Sequence, residues 1–294
     1  MTLTAPKGGS EILLEELSAR VDLSQVNVIL STCDPRLLHP AKPNILWQHL
    51  SYDQAAVAGL ADPQFVSRLD AIVFVSHWQH EQFRKRVNLP GNMCHVIQNC
   101  TTAVPDHNKP KDIQLIYTSM PNRGLEVLAQ AYPLMKRKVP LTVISGTKIY
   151  GARYHEMTGH QFNPLYRQLK ELGITRFDYM SNDEVREQLI EHHIFAYPST
   201  FEETSCLSAI EALSYGLKVV TTNYGALPET CSIWADYVPL GEGFARRYAQ
   251  ALDDAVDAWQ PNPEQVDFHR KHWSWDARPQ WHQLIQQFTQ AKAA

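Results

Sequence analysis

Glu203 and Glu211 are two carboxylates separated by seven residues, and the stretch that holds them, Phe195 to Thr230, can place both against one ligand. An apolar run from Ile194 to Tyr197 reads as a strand, and Glu202 and Glu203 fall in the loop after it. A helix is expected from about Ser205 to Tyr215, before a second strand at Lys218 to Thr221. Such a βαβ unit turns the unpaired N–H groups of its helix toward whatever anion sits at the strand's carboxyl end, and phosphate is the usual occupant. Thr204 and Ser205 are the residues expected to cap that helix. Glu203 would stand before the helix and Glu211 about a turn and a half inside it, so one carboxylate faces each end of an extended phosphate ester. A nucleoside diphosphate sugar has that shape, with hydroxyl groups on both sides of its diphosphate.

A second strand, loop and helix start lies upstream. Ile113 to Thr118 is apolar, Ser119 to Gly124 reads as a turn, and Leu125, Leu128, Ala129, Tyr132 and Met135 give helical spacing out to Arg137. An arginine at the mouth of such a helix, Arg123, offers planar and always-charged donors that fork onto phosphate oxygens, with the Ser119 hydroxyl beside it. Tyr179 and Met180, at the end of a further strand between these two sites, are expected to contact a base.

The elements that must position these groups recur along the whole chain. Strands are expected near Val26–Ser31, Asn44–His49, Ala71–Ser76, Cys94–Ile97, Ile113–Thr118, Leu141–Ser145, Thr175–Tyr179, Ile194–Tyr197, Lys218–Thr221 and Tyr237–Pro239, with helical patterns between most of them. That alternation implies parallel sheets covered on both faces, which bind ligands at the carboxyl ends of their strands. Thr101 to Lys111 is polar, contains two prolines and lacks periodicity, so it reads as an interdomain linker. The last residues, with Trp273, Trp275 and Trp281, read as helices that finish the core, and Ser76 reads as the cap of a helix starting at His77-Trp78.

With 294 residues, 44% of them apolar, the chain can build two ordinary domains. A net charge of -4 argues against nucleic acid as a partner. The basic clusters Arg84-Lys85-Arg86 and Lys136-Arg137-Lys138 read as solvated helix flanks that leave room for a weak peripheral membrane contact. Five cysteines without a C-x-x-C pair suit a reducing, cytoplasmic setting, and no apolar run or leader pattern suggests a span or signal. The thirteen histidines are scattered and no Asp-x-Asp occurs, so neither a metal nor any other cofactor is expected.

At its two acidic residues the sequence resembles the family 4 glycosyltransferases, retaining enzymes of the GT-B fold. The family's signature of Glu, seven residues, Glu, then Ala, a small or apolar residue and Gly reads here as Glu203, Glu211, Ala212 and Gly216, and its Gly-x-x-Pro-Glu loop as Gly225 to Glu229. The resemblance implies that Glu203 approaches the donor sugar and Glu211 binds ribose hydroxyls. Ser205-Cys206 replaces the commoner Phe-Gly, as in a variant subset. Arg123-Gly124 takes the place of the family's Lys-Gly at the diphosphate, while Thr118 stands where the family has an earlier Arg. A family histidine near a strand end lines the cleft beside the donor sugar, which nominates His49, with Asp53 a weaker companion. Gly8-Gly9-Ser10-Glu11 resembles the segment that follows the family's first strand, so the first strand is expected to be missing and the N-terminal domain reduced.

The resemblance therefore implies an α/β, GT-B chain with two Rossmann-like domains whose parallel sheets face a cleft: residues 1–105 a reduced acceptor domain, 106–275 a nucleotide-sugar domain, and 276–294 a helix packing back on the first. The expected activity is metal-independent glycosyl transfer from a nucleoside diphosphate sugar, with retention, to a glycan, lipid, protein or small molecule. Arg123, Ser119, Gly124, Tyr179, Ser205, Cys206, Leu207 and Glu211 would hold the donor, with Glu203 and His49 at the reacting sugar. Leaving-group charge would fall on Arg123 and the helix start near Ser205 to Leu207. Two alternatives stay open: a noncatalytic sugar-nucleotide or glycan-binding remnant, and an epimerase-like enzyme that needs no acceptor.

Overall fold

The computed structural model describes residues 8–102 and 104–290. Among them are ten strands: β1 (Asn27–Leu30), β2 (Asn44–Gln48), β3 (Ala71–Phe74), β4 (Cys94–Val96), β5 (Leu115–Thr118), β6 (Leu141–Ile144), β7 (Thr175–Phe177), β8 (Ile194–Tyr197), β9 (Lys218–Thr221) and β10 (Ala235–Tyr237). They form two sheets, ordered β1-β2-β3-β4 and β10-β9-β8-β5-β6-β7. Every pairing is parallel. β2, β3, β5, β6 and β8 are buried along their whole length. A parallel strand covered on both faces reads as an unbroken apolar run, which is why these elements stand out in the sequence.

Most strand ends fall within about two residues of the sequence expectation, and two of the differences have a plain local cause. β10 starts at Ala235, two residues before the expected Tyr237, because the half-polar Ala-Asp-Tyr run carries the pairing to β9 while Pro239 lies beyond it. The helix after Arg123 ends at Ala131 and tightens into a 3-10 turn at Tyr132–Leu134, where Pro133 cannot continue an α-helical ladder.

The four-stranded sheet is covered on one face by Leu13 and Leu17 of the helix Gly9–Ser18 and by Trp281, Leu284 and Ile285 of the helix Gln280–Gln290, packed on Ile45, Trp47 and Val73. Trp281 meets Trp47 edge-on with ring centroids 4.6 Å apart. Leu38, Val57, Leu60, Phe65 and Phe83 cover the other face. A separate core surrounds the six-stranded sheet, from Val104 to Val256. Residues 104–110 form neither helix nor strand, and Thr101 makes an isolated bridge with Ser274. Among the described residues no helix is long and apolar enough to cross a membrane.

The two halves are fastened by specific hydrogen bonds. Ser76 caps the helix His77–Arg84 by accepting from the Gln79 N–H at 3.0 Å, and its hydroxyl donates to the Thr204 carbonyl at 2.6 Å. The Thr204 hydroxyl donates to the His49 carbonyl at 2.6 Å. Glu229 lies across the start of the same helix, accepting from the backbone N–H groups of His77 (2.9 Å) and Trp78 (2.8 Å) and from Gln98 Nε2 (2.8 Å). A carboxylate at a helix N-terminus satisfies orphan donors and meets their partial positive charge. Glu229→Ala is expected to lower stability by about 1–3 kcal/mol, with Glu229→Gln losing less. A denaturant midpoint unchanged in Glu229→Ala would show that this bridge contributes nothing.

Candidate active site

The six-stranded sheet reverses its order where β5 lies between β6 and β8, and an open parallel sheet binds ligands at such a switch point. A cavity of about 450 Å³ opens there, between the carboxyl ends of the two sheets. Its wall includes His49 from the first sheet and Ser119, Arg123, Tyr179, Glu203, Ser205, Cys206, Leu207 and Glu211 from the second. Gly8 and Gly9 border it as well. Gly124 and Asp53 do not. Gly124 serves the site from behind: with φ +99° it starts the helix Leu125–Ala131 in the left-handed region and lets the loop pass over Pro198.

Glu203 is 3% exposed, and its carboxylate is fully engaged. Arg123 Nη1 donates to both oxygens at 2.5 Å, and the Tyr197 hydroxyl donates to Oε1 at 2.5 Å. The guanidinium lies 4.1 Å over the Phe201 ring. Burial, then the Glu203 charge, hold the Tyr197 hydroxyl well above its ordinary pKa, so it stays a donor. The Ser119 hydroxyl approaches Tyr197 at 3.4 Å. The Gly-x-x-Pro-Glu loop holds Glu203 through its backbone, with the Ala226 N–H donating to the Glu203 carbonyl at 2.7 Å. A Cβ on Gly225 would lie 2.5 Å from that carbonyl, so the approach needs glycine.

The helix carrying Glu211 runs Leu207–Ser214, two residues later than expected, and its N-cap is Cys206 with no side-chain cap. Thr204 does not cap it because its hydroxyl is spent on His49, and the Ser205 hydroxyl is buried without a partner in the cavity wall. The helix start is thus left open to a ligand. Burial pushes the Cys206 thiol well above its ordinary range, so it is not a thiolate at neutral pH.

Glu211 faces Arg186 at 3.5 Å. Burial raises its carboxyl pKa, and the Arg186 charge opposes the shift. A carboxyl raised in the folded state is free of penalty below its unfolded pKa, and stability is lost as pH rises through the folded value. Glu211→Gln, which mimics the protonated form, is therefore expected to be more stable than the parent at neutral pH and to match it below about pH 4. Denaturant melts at both pH values check this, and a variant less stable at neutral pH would overturn it.

Several residues of the site carry no signal in the sequence. Tyr197 reads only as the end of an apolar strand and Thr204 as a cap, yet one binds Glu203 and the other joins the halves. Among the described residues no group of three or more His, Cys, Asp and Glu side chains is arranged to hold a metal ion.

Residues 112–256 match the family of glycosyl transferases group 1. The chain is 26% identical over 206 residues to a human phosphatidylinositol N-acetylglucosaminyltransferase subunit, the match covering 66% of this chain and 41% of that protein. The Arabidopsis thaliana protein of the same name is 27% identical over 218 residues, covering 70% and 46%. The chain thus spans less than half the length of these relatives. In structure it is similar to Anabaena Alr3699/HepE in complex with UDP and glucose (TM-score 0.70, 13% identity, 95% of this chain and 83% of that one). It is similar also to sucrose-phosphate synthase from Thermosynechococcus elongatus (TM-score 0.66, 16% identity, 96% and 79%). The match over residues 112–256, together with two parallel sheets meeting at this cavity, supports a family 4-like glycosyltransferase and gives the chain the GT-B fold.

Proposed function

We propose that the chain transfers a glycosyl group from a nucleoside diphosphate sugar to a hydroxyl acceptor, with retained configuration and without a metal ion. The observation that carries this reading is the convergence of Arg123, Glu203, the uncapped helix start at Leu207 and Glu211 on one cavity. The diphosphate takes Arg123 and the helix N–H groups, Glu211 takes ribose hydroxyls, and Glu203 takes the sugar. Charge developing on the leaving diphosphate is met by a fixed cation and backbone dipoles.

Both Glu203 oxygens are already bound by Arg123 and Tyr197, an arrangement that suits a hydrogen-bonding partner better than a covalent nucleophile. That favours departure and attack on one face of the sugar through an oxocarbenium-like state. The names of the relatives and of the structural neighbour make a UDP-linked N-acetylglucosamine and an inositol lipid the first pair to test, with this chain working as one subunit of an assembly.

One observation favours a noncatalytic binding module: Thr118, 7% exposed, stands where a second phosphate-binding cation would be, and Arg123 is held by Glu203. Thermal stability against a panel of nucleotide sugars, with chelator present, separates the readings. A ligand at a hundred times its dissociation constant adds about 2.7 kcal/mol. The expected result is a chelator-insensitive rise with one donor, lost in Glu211→Ala, and acceptor-dependent release of nucleoside diphosphate with the anomeric configuration retained. Binding without release would leave the module.

A further inference from the structure

Ser31 follows β1 with φ +52°, and it and Ser232 are the non-glycine residues at positive φ among those described. A left-handed serine costs free energy, and such residues persist where the surroundings demand one side-chain position. Here that position is against His49. The Ser31 oxygen accepts from the His49 backbone N–H at 3.0 Å, lies 3.3 Å from His49 Nδ1, and is 3.4 Å from the Trp47 carbonyl, to which its hydroxyl donates. The opposite ring nitrogen, Nε2, is buried and has no partner, while the residue lines the cavity.

A serine oxygen accepts twice and donates once. If Nδ1 carries the proton, all three capacities are used, with the backbone N–H and Nδ1–H donating in and the hydroxyl donating out to Trp47. If Nε2 carries it, the hydroxyl must turn to Nδ1, the Trp47 carbonyl keeps only the Ser31 backbone N–H at 3.0 Å, and an N–H is buried unpaired.

We infer that Ser31 is a positioning residue, whose hydroxyl holds the neutral His49 ring with its proton on Nδ1 and leaves Nε2 as a bare acceptor for a substrate hydroxyl. The substrate hydroxyl rests on the transferase reading above; the tautomer does not. Burial pushes the His49 pKa down to about 3, so the ring stays neutral throughout the working range and acts as an acceptor of hydrogen bonds. Trp47, 4.8 Å away ring to ring, and the Thr204 hydroxyl on the His49 carbonyl fix the rest of the residue.

The test is a proton–nitrogen correlation spectrum of the histidine rings in the full chain without substrate, for the parent, Ser31→Gly and Ser31→Ala. Glycine suits a left-handed φ and should fold at least as well as serine. The alanine variant keeps the side-chain stub and loses only the hydroxyl. The parent is expected to show His49 protonated on Nδ1 alone, and both variants a mixture of tautomers. With whichever donor the stability panel selects, kcat/KM should fall about tenfold in Ser31→Gly while nucleoside diphosphate affinity is unchanged. A parent ring protonated on Nε2, variants that keep a single Nδ1–H ring, or a changed tautomer with undiminished kcat/KM would each overturn the inference. If no donor turns over even in the parent, the transferase reading fails, and the ring spectra alone decide the positioning role.

Discussion

Glu203→Gln is expected to lower the rate of glycosyl transfer by about 10²–10³, the size of effect seen when one preorganised group at a reacting centre is removed. The substitution keeps the volume of the side chain and the bond to the Tyr197 hydroxyl. What it removes is the negative charge that Arg123 holds with both contacts at 2.5 Å. In the ligand-free protein that ion pair is an internal competitor. On the proposed reading, a diphosphate would draw Arg123 away from Glu203, and sugar hydroxyls would take the place of the guanidinium on the carboxylate. Glutamine weakens only the competitor of the diphosphate. The free nucleoside diphosphate is therefore expected to bind Glu203→Gln at least as tightly as the parent, while turnover collapses. Calorimetric titration with the nucleotide and single-turnover kinetics with the sugar nucleotide measure the two effects separately. A variant that turned over at the parent rate would remove Glu203 from the reaction, and one that lost nucleotide affinity would show that the ion pair prepares Arg123 for phosphate.

Gly124→Ala is expected to destabilise the fold by roughly 3 kcal/mol or more, combining a left-handed backbone with a steric collision. A Cβ at this position would lie 1.9 Å from the Pro198 carbonyl oxygen and 2.7 Å from its carbon, both backbone atoms that cannot swing aside. Gly173 supplies the internal comparison, since it has φ +71° with nothing within 4 Å of an added Cβ. Its alanine variant should show only the conformational cost, about 1–2 kcal/mol. At about 2–4 °C per kcal/mol for a chain of this size, thermal midpoints should separate the two variants clearly. Equal midpoints would mean that the loop after β5 relaxes freely away from the loop after β8. Because Arg123 is the neighbouring residue, any such shift would also move the cation proposed to bind phosphate.

The frame of the molecule was legible because its chemistry is local. Each strand of a parallel sheet is a short apolar run bounded by loop residues; Glu203, Arg123 and the Gly225–Glu229 loop lie at strand ends or helix starts that such runs locate, and Glu211 lies inside the helix Leu207–Ser214. What could not be read depends on partners far along the chain. Arg123 and Glu203 are 80 residues apart, and nothing in either segment says that they pair. Thr204 has the composition of a helix cap, but a carbonyl 155 residues away claims its hydroxyl, so the helix starts two residues later. The left-handed backbone of Ser31 is likewise invisible in a residue type that rarely adopts it. Glu229 was legible as part of a motif, while its place across the start of the helix His77–Arg84 required the other sheet to be present.

The pairing of Trp281 with Trp47 sets an order of assembly during synthesis. All four strands of the first sheet are encoded before residue 97, yet one of its faces is covered only in part, by Leu13 and Leu17, until the helix Gln280–Gln290 leaves the ribosome. The six-stranded sheet has its own core within residues 104–256, so it can condense while the earlier sheet still exposes Ile45, Trp47 and Val73. Contacts that close a loop of more than two hundred residues form late, and an open apolar sheet face invites association in the interval. The first-made half of this protein is thus the last to be finished, and nascent chains stalled between residues 256 and 280 should be the ones that chaperones hold.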